Sequence, residues 1–114
     1  TKPYVMDDTT DVSHIDESLV VPNLPAGYRK IDQLKLNVPG KPKPVVQFIF
    51  SDGLASVSLF VEPIGKGMQP RVGKKTIGST NICAHVQNGY QLVVVGEVPA
   101  QTVEQIAQHV TFKK

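Results

Sequence analysis

The chain has 114 residues, of which 40% are hydrophobic and 19% charged, a balance typical of one globular domain. Its charge is uneven, because residues 1–27 carry one lysine against five carboxylates, whereas residues 28–114 carry eleven lysines and arginines against five. The sequence contains no apolar run of about 18 residues, the length that predicts a membrane-spanning helix. Its single cysteine excludes an internal disulfide. The basic part is either an ordinary solvated surface or a face for an acidic partner or an anionic lipid headgroup.

The first 21 residues are acidic and carry little apolar periodicity, which predicts a linker, although residues 16–21 could add a short turn or strand. Two prolines and a glycine in residues 22–27 then predict a break. Residues 28–36 alternate well enough to predict a strand, and three prolines in residues 37–44 predict a loop. We therefore expect the folded domain to begin at residue 22.

Two pairs of turn residues predict two β-hairpins. Asp52-Gly53 lies between apolar residues 45–50 and 55–61, and this pair accepts the positive φ angles of a two-residue hairpin turn. Asn88-Gly89 is the strongest type I′ signal and predicts a second hairpin from residues 81–86 and 90–95. The strands alternate between apolar and polar residues, which predicts a half-buried antiparallel sheet.

A glycine-rich basic stretch, residues 63–75, is predicted to be irregular, with a short strand beginning at residues 76–77. Its basic residues are the predicted contacts of an acidic partner: Lys66, Arg71, Lys74 and Lys75. Arginine can hold a carboxylate through two parallel hydrogen bonds, and lysine acts as a point charge. The stretch lacks the spacing and the following helix of a phosphate-binding P-loop. The alternative is a mobile, solvated loop.

The C-terminal part predicts one α-helix, with apolar residues at the i, i+3, i+4 and i+7 positions of a single stripe: Val103, Ile106, Ala107 and Val110. Gly96, Glu97 and Pro99 precede it. Proline suits the first turn, and a carboxylate suits the positive end of the helix dipole. We therefore predict an α+β fold, with an antiparallel sheet of about five to six strands built from hairpins and packed against one C-terminal α-helix.

No pattern of residues predicts catalysis, a metal site or a cofactor. Cys83 and His85 share one strand face, but zinc needs three or four ligands. The sequence shows neither a helix start nor a cationic cluster near Cys83 that would lower the pKa of its thiol. Cys83 is therefore better interpreted as a small buried hydrophobic residue. Most aromatic residues lie in apolar strand runs rather than among the basic residues, which argues against nucleic-acid binding.

Three motifs carry a resemblance to a known family. They are residues 23–28 (Asn-Leu-Pro-Ala-Gly-Tyr), residues 50–62 (Phe-Ser-Asp-Gly-Leu-Ala-Ser-Val-Ser-Leu-Phe-Val-Glu) and residues 95–103 (Val-Gly-Glu-Val-Pro-Ala-Gln-Thr-Val). In this order and spacing they resemble the C-terminal domain of the RseB/MucB family, across roughly residues 22–113. The similarity is weaker between residues 63 and 79.

The resemblance implies a periplasmic negative regulator of an envelope-stress sigma factor of the sigma-E/AlgU type. Its C-terminal domain, residues 22–114 here, would bind the periplasmic region of a membrane-spanning anti-sigma factor and shield it from site-1 proteolysis. Residues 1–21 would be the linker from an N-terminal domain that senses lipid or lipopolysaccharide. The family has no catalytic residue to carry over, so we expect no enzyme.

Two further possibilities stay open at the level of sequence. An autonomous lipid- or small-ligand-binding module of the periplasm is the alternative function, and an apolar cavity of about 300 Å³ or more between sheet and helix would favour it. An edge strand of either hairpin could also pair with another copy and give a homodimer.

Overall fold

The computed structural model describes residues 18–113. Its elements in chain order are β1 (Leu19–Val20), β2 (Arg29–Leu36), β3 (Val45–Ser51), β4 (Ser56–Pro63), β5 (Gly73–Ile77), β6 (Thr80–Gln87), β7 (Tyr90–Gly96), α1 (Ala100–Gln108) and β8 (Thr111–Phe112). Strands β2 to β7 form one antiparallel sheet in the order β2-β3-β4-β7-β6-β5, and β1 pairs with β8. The predicted α+β fold is confirmed.

One face of the six-stranded sheet forms the hydrophobic core. Every second residue of β3, β4 and β7 points to this face, and these side chains are buried: Val46, Phe48, Phe50, Val57, Leu59, Val61, Leu92 and Val94. Helix α1 packs over β6 and β7 on the same face. The predicted stripe is buried there, with Val103, Ile106 and Ala107 on α1. The helix ends at Gln108, however, so Val110 is buried from the segment that follows the helix and not from the helix itself. We call this the helix face, and the opposite side the outer face.

The chain ends meet beside the helix. Leu19 of β1 is buried in the core, three residues before the predicted start of the domain. Its partner strand β8 was not predicted, because two residues are too few to show a period. The Lys113 N–H donates to the Ser18 carbonyl at 2.7 Å, and the Phe112 ring stacks on Tyr90 with centroids 5.4 Å apart. These contacts tie the small sheet to the large one.

The second predicted hairpin is confirmed as a two-residue turn. Asn88 and Gly89 have φ angles of 54° and 82°, and Gln87 pairs directly with Tyr90. Both central residues of a type I′ turn need positive φ, and asparagine and glycine tolerate that region best.

The first hairpin differs from its prediction in its turn. Ser51 pairs with Ser56, so four residues connect β3 to β4 instead of two. Gly53 has a positive φ of 96°, but Asp52 does not. Instead, Asp52 Oδ1 accepts hydrogen bonds from the N–H groups of Leu54 and Ala55, both at 2.9 Å. The Asp52 side chain thus holds the four-residue loop closed through hydrogen bonds to the backbone of the loop itself.

Loss of the Asp52 carboxylate is expected to lower the melting temperature at neutral pH. The N–H groups of Ala55 and Leu54 hold the pKa of this carboxyl below its usual value. A lowered folded-state pKa contributes stability above the unfolded pKa of about 3.9 and loses it as the pH falls through the folded value. The deficit of Asp52→Ala, measured by thermal unfolding, should therefore shrink below about pH 4. Asp52→Asn keeps an acceptor oxygen but cannot ionise, so its melting temperature should not show the change with acid pH that the Asp52 carboxylate contributes. A deficit of Asp52→Ala that is equal at every pH would contradict the assignment of this stabilisation to the ionised carboxylate.

Strand β5 corrects the prediction that residues 63–75 are irregular. The strand begins at Gly73 and pairs with β6 through the two-residue loop Gly78-Ser79. Lys74 and Lys75 therefore lie on a strand, not in a loop. The irregular part ends at residue 72.

Candidate partner-binding surface

The position of β5 sends its two lysines to opposite faces of the sheet. Lys74 pairs with Cys83 and Lys75 with Ile82, and neighbouring strand residues alternate between faces. On the helix face, Lys74 Nζ lies 3.5 Å from Glu104 Oε2 of α1. Lys75 lies on the outer face and has no ion-pair partner within the part of the chain that the structure describes. It is thus the β5 lysine available to an outside carboxylate.

Arg71 is held in place through its backbone by a buried glutamine. Gln91 of β7 is only 3% exposed, although it is polar. Its Oε1 accepts from the Arg71 N–H at 2.7 Å, and its Nε2 donates to the Arg71 carbonyl at 2.9 Å. This two-way pairing is the same exchange that two strand residues make. It fixes the chain two residues before β5, so that Arg71 lies at the outer face.

These residues border an open groove of about 570 Å³ on the outer face. Its lining is Arg71, Val72, Gly73, Lys74, Lys75, Ile77, Ile82, Ala84 and Val93. Val72 and Ile77 are 76% and 57% exposed, which is high for large apolar side chains in a folded domain. The groove thus combines an apolar floor with positive charge at its rim. That combination suits a partner with both apolar and acidic groups.

Lys66 lies elsewhere. It lines a separate cleft of about 260 Å³ between residues 40–43 and 62–68, beside the Lys41–Glu62 ion pair of 3.0 Å. Three of the four predicted contact residues, Arg71, Lys74 and Lys75, therefore border one groove, and Lys66 does not. Sequence reasoning missed the apolar floor, although the i+2 spacing of Ile82, Ala84 and Val86 was its visible signal.

Gly96, Glu97 and Pro99, the residues before the predicted helix, connect β7 to α1. A Cβ built on Gly96 would lie 3.1 Å from both the Ser56 carbonyl oxygen and Val57 Cγ2, so β4 packs directly on its backbone. Pro99 comes directly before α1, and its carbonyl accepts from the Thr102 N–H at 2.9 Å. Glu97 between them is exposed. These residues shape the turn from β7 into the helix.

Cys83 and His85 lie on the helix face of β6, and their surroundings do not activate the thiol. Burial raises the pKa of Cys83, and the negative charge of Glu104 raises it further, against a smaller opposing effect of Lys74. His85 Nε2 lies 3.0 Å from Gln87 Oε1. Residues 18–113 contain no cluster of three histidine, cysteine or carboxylate side chains that could hold a metal. Within the same residues, no helix is long and apolar enough to cross a membrane.

Cys83 is expected to react slowly with iodoacetamide at pH 8, because the thiolate is the reacting species and folding raises the thiol pKa. The measurement is the alkylation rate of the folded chain against that of the same chain in concentrated urea. The unfolded chain should react faster. Equal rates would show that the packing around Cys83 neither shields the thiol nor keeps it protonated.

Comparison with known proteins matches this chain to one domain family. The family model described as MucB/RseB C-terminal domain matches residues 14–111. The Sigma factor AlgU regulatory protein MucB of Pseudomonas aeruginosa is 34% identical over 89 residues, which cover 74% of this chain and 28% of MucB. The Sigma-E factor regulatory protein RseB of Escherichia coli is 28% identical over 93 residues, which cover 78% of this chain and 28% of RseB. The chain thus spans under a third of the length of these curated relatives.

Solved structures agree with the sequence comparisons. The complex structure of Pseudomonas aeruginosa MucA/MucB matches with a TM-score of 0.70 and 30% identity, covering 85% of this chain and 35% of that one. A crystal structure of MucB in complex with MucA(peri) matches with a TM-score of 0.69 and 30% identity, covering 85% of this chain and 37% of that one. The sequence match extends over most of the chain, and the fold agrees with it. This chain belongs to the MucB/RseB C-terminal domain family.

Proposed function

We propose that this domain binds the periplasmic region of a membrane-spanning anti-sigma factor and thereby restrains an envelope-stress sigma factor. While bound, it shields the anti-sigma factor from site-1 proteolysis. The observation that carries the proposal is the similarity to MucB as crystallised in complex with MucA(peri), over 85% of this chain. The names of the curated relatives, regulatory proteins of sigma-E and of AlgU, support it.

The proposal places the protein in the periplasm and assigns it a binding task without catalysis. In a full-length protein of this family, the residues before β1, and not all of residues 1–21, would connect this domain to an N-terminal domain that senses lipid or lipopolysaccharide. For charged contacts with the anti-sigma factor we propose Arg71 and Lys75 at the groove, with Lys66 as a more distant contact. Lys74, the fourth predicted contact, is instead paired with Glu104 on the helix face. Salt bridges at such an exposed site steer association more than they add affinity.

The packing argues against the alternative of a lipid-binding module between sheet and helix. The side chains that face each other there are almost fully buried: Leu92, Val94, Val103, Ile106 and Ala107. A drug-sized ligand needs a cavity of roughly 300–1,000 Å³. An acyl chain could enter this space only by displacing core side chains, so a protein partner is the better-supported ligand.

Titration calorimetry of the 114-residue chain against the periplasmic region of its anti-sigma factor tests the proposal. Binding should weaken with added salt, because screening acts on the exposed basic residues. The double variant Arg71→Ala/Lys75→Ala should bind less tightly, whereas Arg29→Ala/Lys35→Ala on strand β2, which removes the same two charges at the other edge, should not. Absence of binding, or failure to slow cleavage by the site-1 protease, would refute the function for this chain.

A further inference from the structure

Strand β5 presents an open sheet edge. It ends the strand order β2-β3-β4-β7-β6-β5, and within residues 18–113 no strand pairs with its outer side. In a hairpin with a two-residue loop, the residues flanking the loop exchange both hydrogen bonds, and bonded pairs then alternate. Ile77 and Thr80 flank the loop here. The N–H and C=O groups of Lys74 and Thr76 therefore point away from β6, towards the position of an added strand.

The two edges of the sheet differ in how far they resist such an addition. At the β2 edge, the register is interrupted between Lys30 and Asp32, and irregularities of this kind blunt an edge against pairing. Strand β5 pairs in unbroken register over all five of its residues, which are all exposed. The β5 edge is therefore the straighter template for a further strand.

The charge of β5 selects which strand can be added. Lys74 and Lys75 are its only charged residues. An antiparallel pairing of two β5 strands centred on either lysine would set like charges directly opposite each other, which is destabilising. A strand with carboxylates at those positions would gain electrostatic attraction instead. Lys75 and Arg71 are available for it, because neither has an ion-pair partner within residues 18–113. In these two registers the edge thus favours an acidic segment over a second copy of this chain.

The outer-face groove adds an apolar requirement. It runs beside β5, with Ile82, Ala84 and Val93 at its floor and Val72 and Ile77 exposed at its sides. Gly73 has no side chain to fill it, and a Cβ built there would meet nothing within 4 Å. Since alternate residues of an added strand point to the same face, one of its apolar side chains could enter the groove while its backbone pairs with Lys74 and Thr76.

We propose that the β5 edge and the groove beside it form an acceptor for an extended acidic segment of the protein partner, which binds as a seventh strand. Main-chain hydrogen bonds to Lys74 and Thr76 hold the segment, a carboxylate meets Lys75 or Arg71, and an apolar side chain enters the groove. Strand addition of this kind draws affinity from the backbone and specificity from alternate side chains. The inference rests on the proposed function, in that the segment belongs to the periplasmic region of the anti-sigma factor.

Amide hydrogen exchange of the 114-residue chain, alone and with that periplasmic region, tests the inference. The Lys74 and Thr76 amides should exchange rapidly in the free chain and at least about tenfold more slowly in the complex, because they gain acceptors. The Lys75 amide, already paired with β6, is the internal control. A complex in which the Lys74 and Thr76 amides exchange as they do in the free chain would overturn strand addition while leaving the proposed function intact.

Two matched pairs of variants give an independent readout by calorimetry. Thr76→Pro removes the outward N–H and should weaken binding about tenfold, whereas Thr76→Val keeps the N–H and should bind within about twofold of the parent. Lys75→Glu should weaken binding, and Lys35→Glu on β2, with the same change in charge, should not. If Thr76→Pro fails to fold, the exchange of the Lys74 and Thr76 amides decides whether a strand is added, and the charge pair tests the carboxylate contact at Lys75.

The remaining outcomes separate the two proposals. No binding at all by the parent chain refutes the proposed function, and this inference falls with it. A dimer of the chain in which the Lys74 and Thr76 amides are protected would show that a second copy occupies the edge, which overturns the acidic segment as its occupant.

Discussion

Replacing Ile106 by alanine is expected to lower the free energy of unfolding by about 2–5 kcal/mol, the range for deleting large aliphatic side chains from a core. Ile106 is fully buried, and it lies in the middle of the helical stripe that packs on β6 and β7. Its neighbours in the core are held by two packed layers, so the cavity cannot collapse without moving the helix or the sheet. For a domain of roughly 100 residues, the melting temperature should fall by at least about 8 °C.

Urea unfolding measures this loss, and the same helix supplies the control. Gln108 is exposed, so Gln108→Ala should stay within about 0.5 kcal/mol of the parent. Ile106→Val, which removes a single methyl group, should cost about 0.5–1.5 kcal/mol and give a graded series. A loss below about 1 kcal/mol for Ile106→Ala would mean that the helix is not part of the cooperative unit that unfolds.

The sequence predicts those elements whose signals are local. The helix and the Asn88-Gly89 turn are each encoded within a few residues, and both are confirmed. Only the end of the stripe differs, because the helix ends at Gln108, before Val110. The Asp52-Gly53 pair is equally local but ambiguous. The same Asp-Gly pair is compatible with a two-residue turn and with a longer loop closed by the aspartate side chain. Only the pairing of Ser51 with Ser56 decides between the two.

Strand β5 could not be recognised from alternation. An exposed edge strand buries no side chain, so its residues show no period, and only Ile77 among them is apolar and large. The Gly-Ser pair at residues 78–79 was the available signal, since it suits a two-residue hairpin loop. The candidate site depended on this strand. The four basic residues were predicted as one set from composition, but the strand pairing separates Lys74 from Lys75, and Lys66 lies at a different cleft.

The burial of Gln91 and its pairing with Arg71 have no signal in the local sequence pattern. In an alternating strand it reads as a solvent-facing polar residue, yet it is almost completely buried. The residue that it pairs with, Arg71, lies twenty positions earlier, beyond a stretch without regular structure. No local property of either residue predicts that the chain returns to this point, so the positioning of Arg71 at the groove could only be seen in three dimensions.

Replacing Gln91 by alanine is therefore expected to release the segment before β5 as well as to destabilise the domain. The variant deletes both hydrogen bonds to Arg71 and those to the carbonyls of His85 and Leu92, at 3.2 Å each. Leaving buried partners unpaired costs about 1–3 kcal/mol. The Arg71 amide, now bonded to Gln91 Oε1, should lose its protection from hydrogen exchange. Affinity for the anti-sigma factor should fall, because Arg71 would no longer be held at the groove rim.

Gln47 provides the matched control for this prediction. It lies on the outer face of β3, and its side-chain amide donates one hydrogen bond, to Ser58 Oγ at 3.0 Å. Gln47→Ala removes the same atoms without touching the segment before β5, so it should leave the exchange of the Arg71 amide and the partner affinity unchanged. If the Arg71 amide stays protected in Gln91→Ala, other contacts hold the segment, and the rim of the groove does not depend on the buried glutamine. If protection is lost while affinity is kept, Arg71 is not a contact, and Lys75 is the remaining charged contact proposed at the groove.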